Sequence, residues 1–249
     1  MKKHTKEKYD SVTAVTNAQH VRIVKDIFKK ITKRYDFLNH LFSLGQDIHW
    51  RRFTTEKMRF FKTFRYLDVA TGTGDLAIET VLRYPHVSAT GLDFVQEMMD
   101  RGKRKVNRRR LSERIAFSRG NALNLPFPDD HFDIAGIAFG IRNIPNRWRA
   151  IEEMKRVVVP GGQVMVLEMN FPRSRSLQRI YRIYINNILP WTSRYFSGYP
   201  AAYAYLADSI IHFPSPDNFV QIMKDTGLTD IHYYPLTMGI THLYIGIKP

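Results

Sequence analysis

A short apolar run followed directly by closely spaced glycines constrains this sequence more than any other feature. The segment 66–70 is apolar except for Asp68, and Gly72 and Gly74 follow it with Thr73 between them. Apolar residues then recur at helical spacing, so the pattern predicts a buried strand, a tight turn and a helix. Glycine suits such a turn because it lacks a Cβ, so the backbone can lie against a ligand and adopt positive φ. The segment therefore predicts the first crossover of a nucleotide-binding α/β fold.

The residues around this turn indicate the kind of ligand it serves. The next apolar run ends at Asp93, about twenty residues later, where an acid on the second strand hydrogen-bonds a ribose diol. The turn lacks the third glycine of the dinucleotide fingerprint and lies between two acids, Asp68 and Asp75. Such a turn suits a ligand with an adenosine ribose, no phosphate and a positive charge, which describes S-adenosylmethionine. The alternative is a tight turn in a doubly wound domain of another function.

Two later segments extend the predicted ligand-binding edge of the sheet. A third strand ends at Asn121 and Ala122, on the edge where open α/β sheets bind ligands, and we expect adenine to lie there. The most continuously apolar run, 134–139, predicts the central fourth strand. Arg142 and Asn143 follow it, so they lie at a strand tip beside the pocket. The alternative is that Arg142 only caps carbonyl groups or pairs with an acid.

The rest of the chain predicts additions to this core. Helical periodicity from residue 17 to about residue 38, and again over about 47–61, predicts helices that could cover the site as a lid. A turn is expected at Pro160-Gly161-Gly162 and a hairpin-like connection through Pro235 and Gly239. The fifth to seventh strands are expected at 163–167, 229–234 and 241–247.

Composition restricts the environment and the partners. The chain has 249 residues, of which 44% are hydrophobic, so we expect one domain over 17–249 after a flexible tail over 1–16. The absence of cysteine excludes disulfides and thiolate chemistry, and we expect no metal site. No apolar stretch approaches the length of a membrane helix, which favours a cytoplasmic protein. The net charge of +15 favours a polyanionic partner, either nucleic acid or an anionic lipid surface.

Two segments are candidates for contact with such a partner. The segment 171–213 interleaves aromatic residues with arginine, which is typical of core packing, of an apolar substrate groove or of a membrane-facing surface. The basic run 101–110 predicts the solvated face of a helix, with phosphate binding as the alternative. No appended RNA-binding module is visible, so nucleic acid is not expected.

Several segments resemble signatures of the ubiquinone/menaquinone-biosynthesis C-methyltransferases, and the resemblance extends over 17–249. FG-x-RN, the tyrosine-rich insertion and the closing segment are more specific than the glycine turn, which occurs in many methyltransferases. The matching segments are YDFLN from Tyr35, DVATGTGDL from Asp68, NALNLPF from Asn121, FGIRNI from Phe139 and LTMGITHLYIGIKP from Leu236. The sequence departs from the family at Asp47, where a histidine is frequent and His49 is nearby, and at Ala138, where some members place a cofactor-contacting serine.

The resemblance implies a class I S-adenosylmethionine-dependent methyltransferase fold, Rossmann-like, with a seven-stranded mixed sheet and helices on both faces. It also implies C-methylation of a prenylated quinol, with demethylmenaquinol preferred and a 2-methoxy-6-polyprenyl-1,4-benzoquinol as the alternative. The residues implied in cofactor binding are Asp68, Gly72, Thr73, Gly74, Asp93, Asn121, Ala122 and Ala138.

The chemistry that the resemblance implies needs a group that favours a phenolate. A cation near a phenol lowers its pKa, so Arg142 is the candidate, with Asn143 orienting the ring. Tyr35 and His49 are lid-side candidates for closing the pocket or accepting a proton. A lipid-soluble quinol implies peripheral association with the inner face of an anionic membrane, and a homodimer is possible. The rival hypotheses are an RNA or other small-molecule methyltransferase and a non-catalytic membrane scaffold.

Overall fold

A single seven-stranded sheet lies at the centre of the computed structural model, which describes residues 16–172, 174–188, 199 and 201–249. The strands are β1 (Arg65–Val69), β2 (Ser88–Asp93), β3 (Ile115–Arg119), β4 (Phe132–Ala138), β5 (Val158–Met169), β6 (Thr229–Leu236) and β7 (Thr241–Ile247). Their order is β3-β2-β1-β4-β5-β7-β6, and β7 runs antiparallel to both of its neighbours. The predicted mixed sheet is confirmed, with β1 and β4 adjacent at its centre.

Helices cover both faces of this sheet. They are α1 (Asn17–Ile31), α2 (Tyr35–Phe42), α3 (Gln46–Glu56), α4 (Asp75–Arg83), α5 (Gln96–Arg108), α6 (Arg147–Val157), α7 (Arg175–Ile183), α8 (Ala201–Ile211) and α9 (Pro216–Asp225). Short 3₁₀ turns occupy Thr32–Arg34, Ile141–Asn143 and Thr237–Gly239, and a π-helical turn occupies Tyr184–Ile188. Thr16 caps α1 in a capping box with Gln19, and Ser215 caps α9.

The alternation of side chains along the central strands assigns the helices to the two faces. Leu67 and Val69 point to the face where they join the hydrophobic cluster that includes Phe219 of α9. Tyr66 points to the opposite face and joins the cluster that includes Ile78 of α4. All of these side chains are almost fully buried, as expected for a strand at the centre of a sheet covered on both sides.

Two sequence-based boundaries were wrong, both for reasons of strand geometry. The expected turn at Pro160-Gly161-Gly162 lies inside the longer strand β5, where Gly161 has φ +79° and the pairing register with β4 shifts. The last connection is the turn Thr237–Gly239, and Pro235 belongs to β6. Proline is tolerated there because β6 is an edge strand.

The N-terminal helices and α8 pack together as a lid over the carboxyl edge of the sheet. Val24 and Ile27 of α1 form one buried cluster with Leu38 of α2 and with Tyr203 and Tyr205 of α8. The predicted N-terminal helices are therefore present, although a 3₁₀ turn separates α1 from α2.

Some expectations fall on parts of the chain outside the described residues. These are the flexible tail, of which only Thr16 is described, and the insertion residues Arg173, Trp191, Arg194, Tyr195 and Phe196.

Asp133 at the start of β4 fixes the segment that leads into β1. Its fully buried carboxylate accepts hydrogen bonds from the backbone N–H groups of residues 61–64, including that of Thr63 at 2.9 Å and that of Phe64 at 2.8 Å.

We expect Asp133→Asn to lower the free energy of unfolding by about 2 kcal/mol, because an amide NH₂ would face these donors. Urea unfolding measures this change. The exposed Asp129→Asn is the control, and an equal loss in both variants would contradict the explanation.

Candidate active site

The two central strands both end in a residue with strained backbone. Ala70 after β1 has φ +52° and Phe139 after β4 has φ +57°, in the left-handed region that residues with a Cβ rarely adopt. The two bends are close together, since a Cβ on Gly140 would come within 2.9 Å of the Ala70 side chain. Strain of this kind is common at ligand-binding sites, and here it marks the carboxyl edge of β1 and β4.

Asp93 holds the glycine turn against the end of β2. Its Oδ2 accepts a hydrogen bond from Gly72 N at 2.8 Å, and its Oδ1 accepts one from Val95 N at 2.8 Å. Burial raises the pKa of Asp93, although both backbone hydrogen bonds favour its ionised form. The carboxylate is thus fixed at the sheet edge and keeps lone pairs for a ligand.

The first cavity, of about 210 Å³, opens beside this carboxylate. Its walls come from the loops that follow β1 to β4 and from lid residues of α1 and α2. Five of the predicted cofactor residues line it, namely Gly72, Asp93, Asn121, Ala122 and Ala138. Asn143 and Tyr35 line it as well. The expectation that Asn121 and Ala122 lie on the same edge as the glycine turn is therefore confirmed in the structure.

Asp68, Thr73 and Gly74 do not line this cavity: Thr73 and Gly74 belong to the glycine turn, and Asp68 lies in β1 before it. Asp68 accepts hydrogen bonds from Thr71 Oγ1 at 2.5 Å and from Ala77 N at 3.3 Å. Gly74 has φ +80° at the start of α4. These residues shape the glycine turn, and none of them contributes to the wall of the first cavity.

Thr73 instead belongs to a polar network that attaches the lid to the glycine turn. Its Oγ1 donates to Asp36 of α2 at 2.6 Å, and Asp36 also pairs with Lys105 at 3.1 Å and Arg101 at 3.2 Å. Lys105 further contacts Asp75 at 2.6 Å. We refer to these five residues as the lid network.

The lid network accounts for part of the basic run on α5. Arg101 and Lys105 are half-buried within it, and the other basic residues of the run are exposed. The exposed members are Lys103, Arg104, Arg108, Arg109 and Arg110.

The second cavity, of about 80 Å³, lies between the lid helices and the tip of β4. Most of its wall is aromatic or aliphatic, and its polar residues are Tyr35, Asn39, Ser43, Asp47, Arg51, Arg142, Tyr203 and Tyr205. It shares Phe28, Tyr35 and Phe139 with the first cavity, so the same side chains form walls of both.

Arg142 lines the second cavity and is held by Glu168 of β5. Its Nη1 donates to Glu168 Oε1 at 2.5 Å and to the Phe139 carbonyl at 2.8 Å, and its backbone N donates to Glu168 Oε2 at 3.1 Å. Burial opposes its ionisation, but the Glu168 carboxylate raises the pKa of Arg142 above its ordinary value. The alternative interpretation, carbonyl capping and pairing with an acid, therefore describes these contacts. Glu168 was not among the predicted site residues; an acid within the apolar run of β5 was the available signal.

Asn143 is fixed by a hydrogen-bonded group that the sequence did not predict. Tyr205 of α8 donates its hydroxyl to Asn143 Oδ1 at 2.8 Å and lies 2.9 Å from Nε2 of His20 in α1. Burial raises the pKa of Tyr205, and burial with nearby Arg147 lowers the pKa of His20. Residues distant in sequence thus connect the lid and the insertion to the tip of β4.

The prediction of His49 as a site residue is corrected by its position. His49 is exposed on α3 and lines neither cavity. Two side chains of α3 reach the second cavity, those of Asp47 and Arg51. Asp47 accepts hydrogen bonds from Arg51 at 2.5 Å, Ser43 at 2.7 Å and His40 at 2.8 Å. Helical geometry explains the difference, because residues two apart lie on different faces.

Comparison with known proteins assigns the chain to a family. The family model for the ubiE/COQ5 methyltransferases matches residues 13–248. The chain belongs to the ubiE/COQ5 methyltransferase family. It is 43% identical over 226 residues to ubiquinone/menaquinone biosynthesis C-methyltransferase UbiE of Geotalea daltonii, covering 90% of this chain and 96% of that protein. It is 41% identical over 225 residues to demethylmenaquinone methyltransferase of Deinococcus radiodurans, covering 90% and 92%. The protein is therefore a methyltransferase.

Solved structures confirm the fold of this methyltransferase. A possible histamine N-methyltransferase from Thermotoga maritima aligns with a TM-score of 0.62 at 18% identity, covering 90% of this chain and 99% of that one. Human N-acetylserotonin methyltransferase in complex with S-adenosylmethionine aligns with a TM-score of 0.59 at 17% identity, covering 89% and 57%. At these identities the likeness extends to the class I methyltransferase fold alone.

The described part of the methyltransferase contains neither a membrane-spanning helix nor a cluster of metal ligands. No described helix combines the length and apolar character needed to cross a bilayer. No group of three or more potential metal ligands occurs among the same residues.

The protonation of Asp68 makes the stability of this methyltransferase depend on pH. Burial raises the pKa of Asp68 from 3.8 to about 7, against hydrogen bonds that favour ionisation. Between about pH 4 and pH 7 the folded protein holds a proton that the unfolded chain has lost, so stability decreases as pH rises. We expect Asp68→Asn to reduce this slope when unfolding free energies are measured by urea titration at several pH values. Asp93 makes the stability of the wild type and of the Asp68→Asn variant fall with pH in the same way. Only the difference in slope between the wild type and the variant therefore reports on Asp68. Identical slopes would contradict the assignment.

Proposed function

We propose that this protein transfers a methyl group from S-adenosylmethionine to a ring carbon of a prenylated quinol. The observation that carries the proposal is the pair of adjoining cavities, one beside Asp93 and the other apolar and adjacent to Arg142. Because Phe28, Tyr35 and Phe139 border both cavities, a donor in the first and an acceptor in the second would lie side by side. Relatives named for quinone methylation, at about 40% identity over nine-tenths of the chain, support the same chemistry.

The first cavity suits the adenosine part of S-adenosylmethionine. Asp93 presents a fixed carboxylate for the ribose hydroxyls, and Leu92, Phe94 and Ala122 provide apolar walls for adenine. At Gly72 a Cβ would point towards Met98 and Tyr35, at 3.4 and 3.9 Å, so glycine keeps this part of the turn free of a side chain. When bound, S-adenosylmethionine supplies an electrophilic methyl carbon.

The second cavity suits an aromatic ring with an apolar substituent. Ile27, Ile31, Leu38, Phe42 and Leu206 supply aliphatic and aromatic contacts for it. Arg142 lies at the tip of β4 and Tyr205 contacts Asn143 there, so the ring hydroxyls would lie at this end and the apolar substituent would lie against the apolar side chains of the lid helices.

Arg142 would favour the phenolate form of the quinol and so make the ring carbon nucleophilic. The Glu168 carboxylate partly neutralises the positive charge of Arg142. We therefore assign the effect of Arg142 to hydrogen-bond donation as well as to charge. Its buried Nε makes no hydrogen bond to the described residues, and buried donors of this kind commonly bond water or ligand. Asn143 lines the first cavity and is held by Tyr205, which lines the second, so it would orient the ring or a water molecule from the boundary between the two cavities.

The naphthoquinol demethylmenaquinol is the proposed substrate. Relatives from Deinococcus radiodurans, Porphyromonas gingivalis and Thermus thermophilus carry the name demethylmenaquinone methyltransferase, whereas those from Geotalea carry names that cover both quinones. Turnover of the purified protein with the prenylated naphthoquinol and with the 2-methoxy-6-polyprenyl-1,4-benzoquinol separates the two substrates. Methylation of the benzoquinol alone would overturn the naphthoquinol assignment.

We expect Arg142→Ala to reduce turnover about a hundredfold or more while the affinity for S-adenosylmethionine stays near normal. The reason is that Arg142 lines the second cavity and does not line the first. Turnover is measured with the quinol, and cofactor affinity is measured by calorimetry.

Arg83→Ala is the matched control, since Arg83 is an exposed arginine of α4 that pairs with Glu56 and lines neither cavity. Loss of cofactor affinity together with turnover in Arg142→Ala would show that Arg142 is structural.

We also propose that the protein associates with the inner, anionic face of the membrane in which a prenylated quinol resides. Its net charge of +15 and the exposed arginines of α7, Arg175, Arg179 and Arg182, support electrostatic attraction. Co-flotation with vesicles that contain anionic lipid should decrease as salt is raised. Flotation that is insensitive to salt and to lipid charge would argue against the electrostatic contribution.

A further inference from the structure

We infer that two touching turns and one face of α7 form a surface that inserts apolar side chains into the bilayer beside the second cavity. We call this surface the docking rim. It consists of the turn 43–45, the turn Thr237–Gly239 and the outer face of α7. The inference rests on the proposed function, because it supplies the route by which a prenylated quinol leaves the bilayer and enters the second cavity.

The tips of the two turns present unusually exposed apolar side chains. Leu44 is 84% exposed and Met238 is 77% exposed, more than any other large hydrophobic residue of the described chain. Both have positive φ, +53° and +55°, in a region where glycine or asparagine is preferred. Single exposed hydrophobic residues are common in proteins. Two of them at the tips of adjacent turns, both with an unfavourable backbone conformation, together form an exposed apolar patch.

Side-chain contacts bring the two turns together. Trp50 Nε1 donates to Thr237 Oγ1 at 2.8 Å, and Thr237 Oγ1 lies 3.4 Å from Gln46 Oε1. Gln46 begins α3 directly after the turn that carries Leu44, and Thr237 precedes Met238. The two apolar tips are therefore parts of one surface.

Helix α7 extends this surface with a mixed apolar and basic face. Tyr181 is buried in a cluster with Ile185, whereas Ile180 and Ile183 are 64% and 51% exposed. Arg179 and Arg182 are exposed beside these isoleucines. Arginine interleaved with aliphatic side chains is typical of a helix that lies at a membrane interface, where the charged groups contact lipid headgroups.

The three segments of the docking rim meet at the wall of the second cavity. Tyr184, at the end of α7, donates its hydroxyl to the carbonyl of Phe42 at 2.6 Å, and Phe42 lines the cavity. Ile240, two residues after Met238, packs against the cluster of α7 that also contacts Met169 and Leu206. Both of those residues line the cavity as well. The docking rim is thus continuous with the proposed substrate site.

The size of the cavity and the charge of the protein favour a bilayer as the partner. The second cavity has about 80 Å³ against about 210 Å³ for the first, so a polyprenyl chain, which is several times longer than the ring, must extend out of it. The adjoining surface on which that chain would emerge is aliphatic and bears arginines, which matches an anionic bilayer in both polarity and charge. A neutral apolar partner would leave these arginines without counter-charges.

The experiment compares Leu44→Glu combined with Met238→Glu against the control Leu82→Glu. Leu82 is 53% exposed on α4, away from the docking rim. Sedimentation with vesicles of phosphatidylcholine and phosphatidylglycerol measures partitioning at high salt, where attraction between exposed charges is screened. We expect the double variant to partition about tenfold less than the wild type and the control to change by less than about twofold, because only the docking rim loses buried apolar area.

Turnover with two substrates separates this inference from the proposed function. The double variant should lose activity towards the prenylated quinol in vesicles and retain the wild-type rate with a tail-less quinol in solution. Unchanged vesicle partitioning, or an equal loss of activity with both substrates, would overturn the inference that the docking rim inserts into the bilayer. Loss of a dimer on gel filtration without a change in partitioning would overturn it too, since a second copy of the chain would then be the partner. Failure of the wild type to methylate the tail-less quinol would instead count against the proposed function, while the partitioning result would still stand.

Discussion

Buried carboxylates that accept backbone hydrogen bonds hold the loops at the carboxyl edge of this sheet. Asp93 binds the N–H of Gly72, Glu168 binds that of Arg142, and Asp68 binds that of Ala77. Each carboxylate would be costly to bury alone, and the donors offset that cost in a way that specifies one loop conformation. The strained residues Ala70 and Phe139 lie between these anchors, so the surrounding contacts maintain a backbone that the isolated segments would disfavour.

The lid depends on the same edge. Asp36 reaches from α2 to Thr73 of the glycine turn and to two cations of α5, while Tyr205 of α8 reaches Asn143 and His20. The hydrophobic cluster of α1, α2 and α8 then closes above these contacts. Polar contacts fix where the lid sits, and apolar burial supplies the larger part of its stability.

The sequence predicted the parts of the fold that depend on local pattern. Strand, glycine turn and helix around Gly72, and the acid at the end of β2, follow from residues close together in the chain, and the structure confirms their arrangement. The sequence did not reveal contacts between distant segments, such as Glu168 with Arg142 or Tyr205 with His20. A single amino-acid sequence does not indicate which distant side chains come into contact in the folded protein. The prediction of His49 as a site residue was wrong for a different reason. The start of helix α3 and the orientation of its faces decide which of two neighbouring polar residues points towards the second cavity, and that residue is Asp47.

The shared wall between the two cavities couples the lid to both ligands. Tyr35 borders both cavities and precedes Asp36, which ties α2 to the glycine turn. A movement of α2 that opened the second cavity would therefore also remove a wall of the first and break the contacts of Asp36 with Thr73 and Lys105. Conversely, the position of α2 that forms the Tyr35 wall of the first cavity is the one that also shapes the second. The shapes of the two cavities are thus linked through one helix, since both depend on the position of Tyr35.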